Sequence, residues 1–215
     1  MGNTEMGIAG FPRSTEMFGG KFLIQSQVGS SGSSDACEAP IRIRLLTRAE
    51  IPGAQKLRFA VWAAEGVAVK CPATKKIACS HDHHSVHWGA FDGDRLIGSA
   101  RLCIHATVEE APDGHLFVHH QIPLPVASLN RLVLEKAYRG LGIGKALDHV
   151  RVEFARRAPV RALLATAVNR ESRMLAFRKM GFQFLPGTQG TASWADNFAI
   201  YLCVRIFLSD EVPVQ

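Results

Sequence analysis

The stretch RLVLEKAYRGLGIGKAL, residues 131–147, places three glycines at alternate positions between an apolar strand and an amphipathic helix. Glycine lets the backbone approach a ligand closely and adopt positive φ angles. The N–H groups at the start of the following helix, together with its dipole, favour an anion, and Arg139 and Lys145 add full positive charges. The segment therefore predicts a cradle for a phosphate or pyrophosphate. A glycine turn adopted only for tight packing is the alternative.

Two common nucleotide-binding motifs do not fit this glycine spacing. A dinucleotide-binding turn has the pattern G-x-G-x-x-G, whereas Gly140, Gly142 and Gly144 follow G-x-G-x-G. A P-loop needs four residues between its first glycine and Gly-Lys-Ser/Thr, whereas here only three residues intervene and Ala146 follows Lys145. The cradle therefore belongs to a different class of anion site.

Hydrophobic periodicity places the cradle within a mixed sheet. The predicted strands are Ile41–Leu45, Val86–Phe91, Leu96–Ile104, Val126–Leu134, Val160–Val168, Phe182–Leu185 and Ala199–Phe207. The predicted helices are Arg48–Glu65, a helix from Ile143 to Pro159 with Ile143, Leu147, Val150 and Phe154 on its apolar face, and Asn169–Met180. The last two strands are expected to pair across an intervening loop. This order predicts an α/β (mixed α+β) fold, a central mixed sheet of about seven strands flanked by helices, not a doubly wound fold.

Composition indicates one globular domain preceded by a tail. Residues 1–40 contain the Gly/Ser tract 29–34 and predict a flexible tail, and residues 41–215 predict a single domain. That domain carries 23 basic and 15 acidic side chains, an excess of eight positive charges that favours an anionic partner. Five scattered cysteines do not form a disulfide framework, and no apolar run is long enough to span a membrane. A cytoplasmic protein is the simplest expectation.

The cradle resembles a known signature. Arg139-x-x-Gly142-x-Gly144 matches the Q/R-x-x-G-x-G/A motif of the GNAT superfamily of N-acetyltransferases. Gly181-Phe182, after a short helix, resembles the second recurring piece of that superfamily, and Asn169 stands where the superfamily often places an asparagine near the cofactor. The predicted element order agrees with the superfamily over most of the chain.

The resemblance implies a mostly antiparallel sheet that splays between its fourth and fifth predicted strands. It implies that the pantetheine arm of acetyl-CoA, or of another acyl-CoA, pairs with backbone along one strand, where an N–H polarises the thioester carbonyl. The acceptor amine would attack directly, and no metal is expected. The cofactor-binding residues implied are Leu132, Val133, Leu134, Arg139, Gly140, Leu141, Gly142, Ile143, Gly144, Lys145, Asn169 and Phe177.

The sequence departs from the superfamily where proton carriers are expected. Ser128 stands at the usual glutamate position and Phe177 at the usual tyrosine position. An amine must lose a proton to attack, so a substitute base is needed. The segment HDHHSVH, residues 81–87, supplies the candidates Asp82 and His87, because histidine titrates near neutral pH. A polar loop without a catalytic role is the alternative. The spacing of Cys71, Cys79, His81 and His83 does not match a zinc knuckle.

A second resemblance bears on the acceptor. The segments RFAVW (58–62), SARL (99–102) and NRLV (130–133), with Asp82, are similar to the acyl-homoserine-lactone and N-acyl-amino-acid synthase branch. The branch implies that Arg58, Arg101 and Arg131 hold an amino-acid acceptor. They could equally be ion-paired or surface arginines.

The leading hypothesis is an acyl-CoA-dependent N-acyltransferase, with acetyl-CoA as donor and a small-molecule or protein amine as acceptor. A non-catalytic acyl-CoA-binding module is an alternative, and so is a synthase of the second branch that uses longer acyl donors. A nucleic-acid binder is not supported, because no aromatic-rich basic stripe occurs. A homodimer stays open.

Overall fold

The computed structural model describes residues 22–24, 40–66, 73–168, 170–192 and 195–207. These residues form one eight-stranded sheet in the order β1-β2-β3-β4-β5-β6-β8-β7. The strands are β1 (Phe22–Ile24), β2 (Ile41–Leu45), β3 (Val86–Asp92), β4 (Arg95–His105), β5 (Val126–Leu134), β6 (Ala162–Val168), β7 (Gln183–Ala192) and β8 (Ala195–Ile206). The helices are α1 (Ile51–Ala64), α2 (Ile143–Arg157) and α3 (Glu171–Lys179). Within the described chain, no helix is both long and apolar enough to cross a bilayer.

The predicted mixed, mostly antiparallel fold is confirmed, and all seven predicted strands are present. The eighth, β1, lies within the predicted tail and pairs with β2. The expected loop between the last two strands is wrong, because β7 and β8 extend through most of it as a hairpin. Hydrophobic periodicity did not indicate this hairpin, because backbone pairing between β7 and β8 does not require alternating apolar side chains. Helix α1 begins at Ile51 rather than Arg48, and Pro52 stands in its first turn, where a missing N–H costs nothing.

Both faces of the sheet are covered. Alternate side chains of a strand point to opposite faces, so neighbours such as Leu163 and Leu164 enter different cores. Leu163 joins the larger core with Leu147 of α2, whereas Leu164 packs with Phe117 from the connection between β4 and β5. Helix α1 adds a smaller cluster in which Leu57 contacts the β5 side. The start of α2 is therefore held against the sheet near the end of β5.

Strands β5 and β6 form the parallel pair of the sheet, and they separate midway. They pair through Val126–Leu129 and Ala162–Ala165. Beyond that point, β5 continues against β4, while Thr166–Val168 continues against β8. Each strand keeps one hydrogen-bonded neighbour, so the separation leaves one backbone edge of each strand without a partner strand. The predicted splay between the fourth and fifth predicted strands is confirmed, and it opens a cleft toward α2.

A bulge in β5 accompanies this separation. Arg101 of β4 pairs with Asn130, but Ser99 pairs with Val133, so two residues of β5 oppose one of β4. Arg131, the first of the two, has φ of 57°. This left-handed conformation costs a non-glycine residue about 1 kcal/mol and persists only where surrounding contacts hold it.

A fully buried arginine of α2 supplies those contacts. Arg151 donates from Nη1 to the carbonyls of Arg101 and Asn130, at 3.1 and 3.3 Å, and these two residues form the strand pair that borders the bulge at one end. Asp148, one turn earlier on α2, neutralises Arg151 and also pairs with Arg173 of α3. Burial lowers the pKa of Arg151 to about 10, which leaves the guanidinium charged at neutral pH. A helix, two strands and a second helix are thus tied together at the cleft.

The apolar face predicted for α2 is only partly right. Ile143 and Leu147 are fully buried, as expected, but Val150 and Phe154 only partly so. The other buried positions of α2 are held by Val152, Ala155, Asp148 and the arginine described above. Periodicity counted apolar residues alone and therefore missed an opposite-charge pair on the inner face.

Candidate functional site

A cavity of about 650 Å³ lies where β5 and β6 separate. Its wall contains the β5 bulge, the start of α2, the end of α1 and the segment that precedes β3. The predicted cofactor-binding residues that line it are Leu132, Val133, Leu134, Arg139, Gly140, Gly142, Gly144 and Lys145. The structure therefore brings most of the predicted cradle to one cavity.

The glycine turn presents open backbone at the start of α2. Gly142 is the N-cap residue of α2, with φ of 79°, and Gly140 has φ of 83°. A Cβ atom placed on Gly140, Gly142 or Gly144 would have no described atom within 4 Å outside its immediate neighbours. Tight packing is therefore not the reason for these glycines. The first turn of α2 contains no acidic residue, so its positive end is not neutralised locally.

Arg139 holds the glycine turn against the sheet. Its guanidinium donates from Nε and Nη2 to the carbonyl of Leu134, at 3.2 and 3.0 Å. It also pairs with Glu65, which follows α1 and lies 3.9 Å from Arg170 before α3. Arg139 thus links the end of β5 to Glu65 after α1, and it is also a lining residue of the cavity.

Three predicted cofactor-binding residues that the structure describes do not line the cavity. Leu141 points outward with 36% of its surface exposed. Ile143 lies in the core, and Phe177 is 1% exposed and packs edge-on against Phe182 with ring centroids 4.8 Å apart. A cofactor contact by the Phe177 side chain is therefore corrected, because its ring is held in the core. The contacts expected of residues 141 and 143 are made by their backbone amides and stay predictions. The prediction for Asn169 falls outside the residues that the structure describes.

Asp82 lies at the centre of a buried ionic network. The Nη1 atom of Arg58 is 2.9 and 3.1 Å from its two carboxylate oxygens, and Nη1 of Arg101 is 2.7 Å from Oδ1. Gln55 and the backbone N–H of Cys79 complete the shell at 3.1 and 3.2 Å. Burial alone would raise the pKa of Asp82, but the two guanidiniums outweigh it and hold the pKa well below its usual range. The carboxylate is therefore ionised at neutral pH.

His87 belongs to the same network. Its Nδ1 lies 3.2 Å from Nη2 of Arg58, which can only donate, so Nδ1 accepts. Nε2 then carries the proton and donates to the carbonyl of Asp82 at 3.1 Å. Burial, followed by the charge of Arg58, lowers the pKa of His87 to about 4. Neither Asp82 nor His87 lines the cavity. The expectation that they carry protons is corrected: both hold the wall, because their polar atoms already have partners.

Ser128 is also enclosed by hydrogen bonds. Asn130 accepts from Nε of Arg101 at 2.5 Å through Oδ1, so its Nδ2 donates to the Ser128 hydroxyl at 2.9 Å. The hydroxyl then donates to Nε2 of His105 at 2.8 Å. Burial, followed by the charge of His81, lowers the pKa of His105 to about 4. Ser128, at the usual glutamate position, is thus part of a hydrogen-bonded row of neutral side chains and does not line the cavity.

The three arginines of the second resemblance occupy different places. Arg58 is wholly buried behind the wall, whereas Arg101 and Arg131 line the cavity. Arg131 also lies over the ring of Trp62, 5.3 Å from its centroid. Nη2 of Arg101 is buried and has no hydrogen-bond partner among the described residues. Arg131 is therefore the one partly exposed guanidinium of the three, and Arg101 is a buried part of the cavity wall.

Two cavity residues were missed at the sequence level. His81 lines the cavity. Its Nε2 lies 3.0 Å from the carbonyl of Glu110, and because a carbonyl can only accept, Nε2 donates. Cys79 lines it beside Arg101. His81 stood in the histidine-rich segment, but only the tertiary structure shows which histidine faces the cavity. No group of three His, Cys, Asp or Glu suited to a metal occurs in the described part of the chain.

Comparison with known proteins agrees with this geometry. Residues 54–182 match the family model described as Acetyltransferase (GNAT) family, which confirms the resemblance drawn from the glycine motif. No curated protein sequence matches the chain significantly.

Several solved structures share the fold. FeeM, an N-acyl amino acid synthase from uncultured soil microbes, is 12% identical, with 77% of this chain and 90% of that chain covered and a TM-score of 0.59. BjaI, a CoA-dependent acyl-homoserine lactone synthase, is 16% identical, with 77% and 79% covered and a TM-score of 0.60. Arabidopsis thaliana NAA60, solved with a bisubstrate analogue, is 17% identical, with 77% and 97% covered and a TM-score of 0.53. At such identities the likeness concerns the fold alone.

The two buried histidines predict acid sensitivity. Their pKa values fall from 6.5 to about 4 on folding, so the unfolded chain binds more protons between these limits. Stability is therefore lost as pH falls through this window, by roughly 2–3 kcal/mol per histidine at pH 4.5. Urea denaturation at pH 7 and 4.5 measures it. His87→Gln and His105→Gln should each reduce the difference, whereas His83→Gln, at an exposed position, should not. An unchanged difference in both buried variants would contradict the assignment.

Proposed function

Because this chain belongs to the GNAT acetyltransferase family, we propose that it transfers an acetyl group from acetyl-CoA to a primary amine of a small molecule or a protein. The open glycine turn at the start of α2 carries this proposal, because it offers backbone N–H groups to an anion at the mouth of the cavity. The diphosphate of a CoA thioester is an anion of this kind. The thioester supplies the activated acyl group, and no metal has a part in the proposal.

The exposed edge of β5 would align the donor. Beyond Leu129, β5 has lost its pairing with β6, so its backbone can hydrogen-bond to an extended, amide-containing pantetheine arm along Leu132–Leu134. The bulge turns the backbone at Arg131 away from the regular ladder. An N–H group beside the bulge would then polarise the thioester carbonyl, and a preorganised donor of this kind contributes several kcal/mol in known enzymes.

His81 is the proton acceptor that we assign to the reaction. Its Nε2 donates to the carbonyl of Glu110, so in the neutral ring Nδ1 carries the lone pair. The side chain is half-buried and lines the cavity. Nδ1 would receive the proton that the amine loses during direct attack, without a covalent enzyme intermediate.

A charge placed in the cradle tests the donor site. In Gly144→Glu the new side chain meets open space, and a glutamate in the first turn of α2 favours the helix. We expect unchanged or raised thermal stability but an affinity for CoA at least about tenfold weaker, because the carboxylate repels the diphosphate. Calorimetric titration with CoA measures the effect.

Gly144→Gln is the matched control, because it has nearly the same volume without the charge. We expect it to keep most of the affinity, and the loss in Gly144→Glu to diminish at high salt. Equal CoA affinity in the parent and in Gly144→Glu would contradict the placement of the diphosphate.

Removal of the imidazole tests the assignment to His81. His81→Asn keeps a polar side chain but no base, and we expect kcat to fall by about 10²-fold while CoA affinity is unchanged. Release of free thiol from acetyl-CoA, measured over a panel of amines and across pH, gives the rates. His83→Asn, in the same turn, is the control. A pH profile identical to that of the parent would contradict the role. CoA binding without thiol release on any amine would identify a non-catalytic binding module instead.

A second candidate is the transfer of a longer acyl group to an amino acid. Its supporting observation is the excess of guanidinium groups at the cavity: Arg131 and Arg101 line it, and Nη2 of Arg101 lacks a partner in the described chain. A carboxylate on the acceptor suits such a wall, since guanidinium and carboxylate form charge-assisted hydrogen bonds. FeeM, a structural neighbour, is an N-acyl amino acid synthase.

Replacement of Arg131 distinguishes the two acceptors. Arg131→Met keeps a long side chain at the same strained position, and we expect KM for amino acids to rise about tenfold or more. KM for the matching amino-acid amides should be unchanged, because they lack the carboxylate. Steady-state kinetics with acetyl-CoA and with longer acyl donors measure both. An equal change in KM for amino acids and for their amides would contradict the binding of the acceptor carboxylate by Arg131.

A further inference from the structure

Cys79 differs from the other described cysteines in its surroundings. Its sulfur lies 2.8 Å from Nη1 of Arg101, and the residue lines the cavity. Cys103 and Cys203 are buried, and burial raises the pKa of Cys203 to about 12. Burial would also raise the pKa of Cys79, but the hydrogen bond and charge of Arg101 outweigh it, so the net shift is downward.

The charge balance of the wall supports an anionic sulfur. Arg58 and Arg101 are fully buried, yet Asp82 is the one carboxylate that contacts both in the described network. A buried positive charge without a counter-ion is costly. The sulfur of Cys79 contacts Arg101 and, as a thiolate, would supply the missing negative charge. Independently, Nη2 of Arg101 is buried without a hydrogen-bond partner among the described residues, so the guanidinium beside the Cys79 sulfur keeps one unsatisfied donor.

Cys79 also lies at the correct end of the cavity to meet the thiol of CoA. Arg101 pairs with Asn130 at the bulge, four residues from Leu134 at the cradle end of β5. At about 3.3 Å per residue, the distance along the strand is about 13 Å. On the proposed function, the pantetheine arm covers this distance with its sulfur at the bulge. The sulfur atoms of CoA and of Cys79 would then share one end of the cavity.

We propose that Cys79 is a modification site that forms a mixed disulfide with CoA, delivered as CoA disulfide. The Cys79 thiolate attacks one sulfur of the disulfide, a new S–S bond forms, and the old S–S bond breaks. The second CoA leaves as a thiolate with the electron pair, so no further oxidant is needed. The bound CoA moiety fills the donor cavity and blocks acetyl-CoA until a thiol reductant removes it. This inference rests on the proposed function.

The test compares two disulfides on the full-length protein. CoA disulfide and glutathione disulfide are added at equal concentration, and adducts are followed by intact-protein mass and peptide mapping. We expect Cys79 to react with CoA disulfide at least about tenfold faster, because the cradle binds the diphosphate that glutathione lacks. Excess acetyl-CoA should suppress this advantage, and dithiothreitol should restore the unmodified protein. Equal rates with both disulfides would overturn the inference.

Variants locate the reaction. Cys79→Ser should abolish the rapid adduct, whereas Cys203→Ala, in the core, should retain it. Gly144→Glu should slow the reaction with CoA disulfide but not alkylation of Cys79 by iodoacetamide, since that reagent does not use the cradle. An adduct that persists in Cys79→Ser would overturn the inference.

Calorimetry with reduced CoA separates the two proposals. If CoA binds but Cys79 shows no preference for CoA disulfide, the modification site fails and the proposed donor site stands. If CoA does not bind, both fail.

Discussion

The separation of β5 from β6 is the constraint on which the rest of this structure depends. Two parallel strands that part after Leu129 and Ala165 each lose a row of backbone hydrogen bonds to the other. The protein tolerates this because β4 and β8 still pair with the outer edges. Arg151 then fastens the bulge that directs β5 away from β6. The unpaired backbone becomes the floor of the cavity, and the start of α2 closes one end.

The other end of the cavity is formed by charge. Burying Asp82 with Arg58 and Arg101 sacrifices the hydration of three ions, and pairs of this kind often add little net stability. The network instead fixes the positions of nearby side chains. It fixes Arg101 at the wall, links the chain before β3 to β4, and holds Cys79 against Arg101 in the cavity that His81 also lines. The same ions that cost desolvation therefore shape one end of the cavity.

This member of the GNAT family carries other residues at the positions where the superfamily usually has its proton carriers. Ser128 replaces the usual glutamate and is locked between Asn130 and His105. The replacement is more than a missing carboxylate, because the hydroxyl continues a hydrogen-bond chain to the guanidinium of Arg101. A neutral chain at this position leaves the positive charge of the wall uncompensated. That charge suits both an anionic acceptor and an anionic sulfur, which is why the two proposals arise from one network.

The sequence by itself determined the mixed sheet, all seven predicted strands and the glycine cradle, because strand periodicity, a Gly-x-Gly-x-Gly turn and the apolar start of α2 are local signals. It also determined that the usual proton carriers are missing, since Ser128 and Phe177 are visible in the chain. Only the tertiary structure decided which polar residues face the cavity. Asp82, His81 and His87 lie within seven residues of one another, yet packing buries the first and third and exposes His81 to the cavity. Burial of a polar side chain depends on partners far along the chain, here Arg58 and Arg101, and local sequence patterns carry no information about them.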